Sequence, residues 1–230
     1  MTTICNNLEA VRTRIKAACV AAGRDFSDIR LLAVSKTFDA DAVKQALASG
    51  QHAFGENYLQ EAVGKIDILA GHGIEWHCIG PIQSNKTRLA AEKFDWVHSV
   101  DRLKIAERLS AQRPAHLPPL NICLQVNIDG GASKSGVAPD ETAALAHAVA
   151  ALPALRLRGI MTIPEPADGF EAQRAVHLQA RGLFDELVAQ GLALDTLSMG
   201  MSADLEAAIA AGSTMVRVGS AIFGARTPNA

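Results

Sequence analysis

Lys36 directly follows the apolar run LLAV (31–34) and Ser35. A short apolar run bounded by polar residues reads as a buried strand. An ammonium at the end of such a strand is costly to bury without an anion, and desolvation favours its neutral amine form. A lysine of that kind is a nucleophile for carbonyl carbon. Two later stretches, SMGMSADLE (198–206) and VGSAIFG (218–224), place glycine and serine where a helix begins. Gly200 and Gly219 allow close backbone approach. Ser202 and Ser220 sit beside N–H groups at the positive end of a helix, which suits an anion. Ser202 taken alone reads as an N-cap; only the two Gly/Ser turns together, opposite a strand-end lysine, favour an anion site. A strand-end amine opposite two such turns points to a phosphate-bearing aldehyde, and pyridoxal 5′-phosphate answers that description. Arg217 lies inside the last apolar run. Its guanidinium could donate to an unprotonated pyridine nitrogen, with a salt bridge at a rim as the alternative.

The elements that must position these groups alternate along the chain. Leu8, Val11, Ile15, Ala18 and Ala22 fall at helical spacing within 6–23, closed by Gly23. Strands are expected at 30–35, 52–54, 75–80, 95–100, 120–128, 155–161, 194–199 and 214–219. Helices are expected at 39–49 with Asp39 as cap, 57–69, 84–94, 101–112, 138–152, 170–190 and 202–212, with a final helical turn at 220–224. Eight strands, each followed by a helix or helical turn, imply parallel pairing through right-handed crossovers. The expectation is an α/β fold: a single-domain (β/α)8 TIM-type barrel over residues 1–230, with an extra N-terminal helix; a doubly wound open sheet is the alternative. In such a barrel the strand C-termini carry the chemistry. That rule gathers Lys36, Asn57, His77, Asn127, Met161, Ser198 and Gly219 at one mouth.

Bulk composition narrows the function classes. The 230 residues are 49 % apolar and 20 % charged, an ordinary globular balance. With 22 basic and 24 acidic residues the formal net charge is −2, which leaves no electrostatic footprint for nucleic acid or a membrane surface. Cys5, Cys19, Cys78 and Cys123 form no CxxC pair and no zinc spacing, so free thiols in a reducing compartment are expected. MTTICNNLEA carries no basic segment leading into an apolar core, so no signal peptide is expected. No apolar run reaches the ~18 residues that span a bilayer. A cytoplasmic protein follows from these readings.

LLAVSKT, FGENYLQEA, EWHCIGPIQSNK, NIDGGASKSG, LRGIMTIP and LSMGMSADLEAAIAAGSTMVRVGSAIFGAR, in that order, resemble the pyridoxal phosphate homeostasis protein family over roughly residues 30 to 226. That family is similar to the N-terminal barrel of fold-type III enzymes such as alanine racemase, without their second β-domain. The resemblance implies that Lys36 holds pyridoxal 5′-phosphate as a Schiff base and that Arg217 faces the pyridine nitrogen. It implies that the phosphate lies against Ser198, Met199, Gly200 and Ser202 and against Gly219 and Ser220, with Asn57 and His77 lining the ring. It also implies buffering or delivery of the cofactor, acting on amino-acid and keto-acid balance, with no catalytic reaction. Apo forms of pyridoxal phosphate enzymes are the expected protein partners, and a monomer is expected, with a dimer as the alternative. Phe38 and Asp39 depart from the family's pattern, in which a lysine or glutamine and then a proline often follow SKT.

Other residues admit two readings. Lys134 in ASKSG is a second amine for the aldehyde or a loop charge. Lys86 belongs to an effector loop or to a helix start capped by Ser84, and Glu56 holds Lys36 or its loop in place. Two enzymatic alternatives stand beside the homeostasis reading. A racemase or decarboxylase needs a second base, for which Tyr58 is the only tyrosine. A class I aldolase would use Lys36 directly on a sugar phosphate.

Overall fold

The computed structural model describes residues 2–131 and 135–224, so Lys134 lies outside the described residues. Eight parallel strands close into a barrel in sequence order: β1 (Arg30–Val34), β2 (Ala53–Glu56), β3 (Glu75–Cys78), β4 (Trp96–Val100), β5 (Leu120–Val126), β6 (Leu155–Thr162), β7 (Thr196–Ser198) and β8 (Met215–Val218). The ring is sealed by β8 against β1, with Leu32 opposite Arg217 and Ala33 opposite Val218. The helices are α1 (Thr3–Ala21), α2 (Ala40–Ala48), α3 (Leu59–Ile68), α4 (Thr87–Lys93), α5 (Leu103–Gln112), α6 (Thr142–Ala150), α7 (Phe170–Ala189), α8 (Leu205–Ala210) and α9 (Ser220–Phe223). The α/β barrel expectation, with its leading helix, is met.

Local chemistry explains the boundaries. Asp39 caps α2 through its carboxylate and the Ala42 N–H, 2.9 Å apart. The strands are buried on both faces, as parallel strands under helices must be; all five residues of β4 are buried. The main core lies between sheet and helices, with Leu8, Val11 and Ile15 of α1 packed into it. Smaller clusters, Leu32–Ala53–Met215 and Trp96–Cys123–Met161, stand apart from it. By the period-two alternation of a strand, Met215 shares its face with Arg217, inside the ring.

Several expected boundaries move by a few residues, and three of the shifts bear on the site. β2 runs on through Gly55 and Glu56, because Glu56 is fully buried and its backbone pairs with Cys78. Ser84 does not cap a helix; it opens a 3₁₀ turn (Ser84–Lys86) before α4. Ser202 does not cap α8, which starts at Leu205, because Asp204 closes a tight turn by accepting the Met201 N–H at 2.6 Å.

α1 braces the far end of the chain. Asn7 Nδ2 donates to the Ile222 carbonyl at 2.9 Å, and Arg14 Nη1 donates to the Ser202 carbonyl at 2.8 Å. Arg14 also forks onto the Glu206 carboxylate, and Arg24 Nη1 donates to the carbonyls of Ile209 and Ser213 at 2.9 and 2.6 Å.

Candidate cofactor site

A cavity of about 310 Å³ opens at the C-terminal ends of the strands, within the usual range for small-molecule sites. Val34, Lys36, Phe38, Asn57, Ile79, Ile163, Met201, Ser202, Ala203, Arg217, Gly219, Ser220 and Gly224 line it. It therefore gathers six of the residues that the sequence singles out: Lys36, Asn57, Ser202, Arg217, Gly219 and Ser220.

The turn that carries Lys36 is held from both sides. The Phe38 N–H donates to the Ser35 carbonyl at 3.1 Å, closing a turn over Lys36 and Thr37. Thr37 takes φ 70°, a left-handed conformation that β-branched residues avoid at a cost of roughly 1–2 kcal/mol. What fixes it is a buried ionic cluster. Lys65 on α3, 5 % exposed, donates to the Ser35 carbonyl (2.8 Å) and Glu56 Oε1 (2.7 Å), and pairs with Glu61 Oε1 (2.7 Å). Glu61 Oε1 in turn accepts the Thr37 N–H at 2.7 Å, and Ser35 Oγ donates to Glu56 Oε1 at 2.6 Å. Burial raises the Glu56 carboxyl above its ordinary range, with Lys65 and Ser35 pulling the other way. The sequence reading anticipated Glu56 in this role but missed Lys65, whose only sequence signal is its i+4 spacing from Glu61 on one helix face.

The opposite wall is made of turns. At Gly219 a Cβ would sit 3.1 Å from the Val34 carbonyl oxygen, so the chain passes close to β1 there. α9 begins at Ser220, where the first N–H groups have no helical partner. Asn57 is placed by Gly80, at which a Cβ would lie 2.2 Å from the Asn57 carbonyl oxygen.

Arg217 is 4 % exposed. Its Nη1 donates to the Ser198 carbonyl and Oγ at 2.7 and 2.9 Å, and its Nη2 to the Thr162 carbonyl at 2.8 Å. Burial brings it down to about 10, still protonated at neutral pH. The rim salt bridge considered for it is not what its side chain makes.

Ser198, Met199, Gly200 and His77 do not line the cavity. Ser198 is buried and spends its hydroxyl on Arg217 and His98. Met199 is buried in the main core. Gly200, at φ 94°, packs on α8, where a Cβ would meet the Ala208 Cβ at 2.5 Å. His77 is fully buried, stacked on Trp96 at 5.2 Å between centroids and bonded to Glu75 and His98. The sequence reading missed Phe38, Ile79, Ile163, Met201 and Ala203 as wall residues. Phe38 packs its ring on Phe223 at 5.2 Å, so the position that departs from the family's pattern closes one side of the mouth. Tyr58, 55 % exposed, and Lys86 border a second depression, which meets the cavity at Asn57.

The donor set fits a phosphorylated pyridine aldehyde: an amine, a guanidinium that stays charged, serine hydroxyls with glycine at a helix start, and apolar walls for a flat ring. The family model for the alanine racemase N-terminal domain matches residues 6–227. The pyridoxal phosphate homeostasis protein of Pseudomonas aeruginosa is 62 % identical over 226 residues, covering 98 % of this chain and 97 % of its own. That of Escherichia coli K12 is 55 % identical over 229 residues, covering 98 % of each. The structure of PipY of Synechococcus elongatus with PLP bound superposes with a TM-score of 0.84 at 36 % identity, covering 96 % of this chain and 100 % of that one. The chain belongs to the pyridoxal phosphate homeostasis protein family, built on the alanine racemase N-terminal fold.

Proposed function

We propose that the protein binds pyridoxal 5′-phosphate at the barrel mouth and serves its homeostasis, by buffering or delivery, without a reaction of its own. Lys36 Nζ is the group that holds the aldehyde carbon covalently, as a Schiff base formed with loss of one water. The aldehyde supplies the electrophile and the ring supplies an electron sink. Ser202, Gly219, Ser220 and the start of α9 bind the phosphate. Arg217 donates to the ring nitrogen and keeps it unprotonated, which weakens the sink. Val34, Ile79, Ile163 and Met201 exclude water from the ring faces.

The observation that carries the non-catalytic reading is the cavity wall itself. Among the described residues lining it, Lys36 and Arg217 are the titratable side chains. A racemase needs a second base across the ring, and Tyr58 is not among the residues lining the cavity but on the neighbouring depression beyond Asn57. Absorbance tests the binding: a visible band on adding pyridoxal phosphate, removed by borohydride and lost in Lys36→Ala, is expected. Absence of the band overturns the assignment and favours the aldolase alternative. Racemisation of a common amino acid by the loaded protein overturns the non-catalytic reading. Transfer of cofactor to the apo form of a pyridoxal phosphate enzyme, measured with a trap for the free aldehyde, separates delivery from buffering. If the trap abolishes transfer, only buffering stands.

A further inference from the structure

A line of polar side chains crosses the inside of the barrel from its N-terminal face to Arg217. Glu75 opens β3 and pairs with Arg30 at 2.7 Å. Glu75 Oε1 meets His77 Nε2 at 2.5 Å, and His77 Nδ1 meets His98 Nε2 at 2.9 Å. His98 Nδ1 meets Ser198 Oγ at 3.2 Å, and Ser198 Oγ meets Arg217 Nη1 at 2.9 Å. His77, His98 and Ser198 are each fully buried.

The carboxylate end, together with the neutral state that full burial imposes on both imidazoles, dictates the direction of every bond in the line, and the guanidinium end agrees with it. A guanidinium only donates, so Ser198 Oγ accepts from Arg217 and has its one proton left for His98 Nδ1. A carboxylate only accepts, so His77 Nε2 carries a proton toward Glu75. The middle bond then has a donor in His98 Nε2 and an acceptor in His77 Nδ1. Both rings are neutral Nε2–H tautomers, and no member is left unsatisfied. The neutral state agrees with burial, which pushes His77 down to about 4 and His98 in the same direction. Burial works to raise Glu75, but His77 and Arg30 outweigh it and hold its carboxyl at about 2. Trp96 stacks on His77 with a 12° interplanar angle and fixes the ring plane.

We propose that Glu75, His77, His98 and Ser198 form a one-way hydrogen-bonded column by which Glu75, at the far end of the barrel, positions the Arg217 guanidinium toward the ring nitrogen of the bound cofactor. The role toward the cofactor rests on the function proposed above; the direction of the column does not. It also accounts for Ser198, a strand-end serine that turns away from the cavity and toward the arginine. Glu75→Gln removes the directing charge while keeping the shape. A glutamine amide can donate to His77 Nε2, which allows the column to run backwards; His98 Nδ1 then donates to Ser198 Oγ and shares its two lone pairs with Arg217, which loosens the hold on the guanidinium.

Two measurements test this. In the cofactor-free protein, ¹⁵N shifts of His77 and His98 near neutral pH should show both rings as neutral Nε2–H tautomers. An Nδ1–H tautomer or an imidazolium at either ring overturns the column. In Glu75→Gln the pattern should invert or become mixed. Affinity for pyridoxal phosphate should then fall about tenfold, the loss of one well-aligned charge-assisted bond, while affinity for the analogue with carbon in place of the ring nitrogen stays put. An equal fall for both compounds makes Glu75 merely structural and overturns the positioning role. If the wild-type tautomers are as assigned and pyridoxal phosphate does not bind, the column stands and the cofactor reading falls.

Discussion

Replacing Lys65 by methionine should destabilise the protein by about 3–5 kcal/mol at pH 7.5, the range for leaving one partner of a buried ion pair uncompensated. The structure says why the figure belongs at the buried end of the scale. Glu56 is fully enclosed, its Oε1 is held by Lys65 and Ser35, and its Oε2 has no hydrogen-bond partner among the described residues. Removing the ammonium leaves a carboxylate with one hydroxyl donor in a site that already raises its pKa. Methionine fills nearly the same volume, so the cavity contribution is small. The variant should recover on acidification. With Lys65 gone, folded Glu56 binds a proton more tightly than unfolded Glu56, so stability rises as pH falls toward the ordinary carboxylate range. Lys65→Met/Glu56→Gln should regain much of the loss, since no charge is then stranded. Urea unfolding of the single and double variants at pH 7.5 and 5.5 measures this. A single-variant loss under about 1 kcal/mol, or a double variant no better than the single, would refute the reasoning.

Acid should act on the wild type through His77. Its folded value of about 4 lies below its ordinary 6.5, so the unfolded chain takes up the proton first and stability falls as pH drops through that window. The ceiling is roughly 3 kcal/mol at about 1.4 kcal/mol per unit, read by denaturant unfolding at pH 7.5 and 4.5; equal or higher stability at the lower pH contradicts it. Arg14→Ala should weaken pyridoxal phosphate binding several-fold with a stability loss of about 1 kcal/mol, because the Ser202 carbonyl loses its brace. An absorbance titration checks the affinity, and an unchanged value breaks the link between α1 and the phosphate turn. Gly80→Ala should cost roughly 2–4 kcal/mol by thermal melting, since its Cβ meets backbone at 2.2 Å with nothing flexible to move aside.

The barrel was legible because its signals are local: apolar runs of strand length, an Asp39 cap, glycines past helix ends. Lys36 and Arg217 were legible for the same reason, standing at or in such runs. What escaped the sequence reading depends on facing and register. Strand residues alternate sides, so a strand-end position alone does not say whether Ser198 meets the cavity or the barrel interior. The Glu75–His77–His98–Ser198 line needs β3, β4 and β7 to stand in a particular stagger, which no single segment encodes. The helix expected from Ser202 begins instead at Leu205, because Arg14 and His177, both distant in sequence, hold the intervening turn through the Ser202 carbonyl and the Asp204 carboxylate. Lys65 escaped because an i+4 carboxylate is the common signature of a surface pair, and only the depth of Glu56 makes it a buried one.

The seam at which the ring closes has a consequence for folding. Lys36 follows β1 and Arg217 lies on β8, and these two strands, from opposite ends of the chain, pair only when the sheet becomes a cylinder. The cavity therefore has no half-formed version: a nascent or partly unfolded chain holds the amine and the guanidinium apart. Any ligand that bridges them binds the closed ring and nothing before it. Its free energy of binding then adds directly to the latch between first and last strands, which is the strand pairing of greatest sequence separation and so carries the largest loop-closure cost in the sheet.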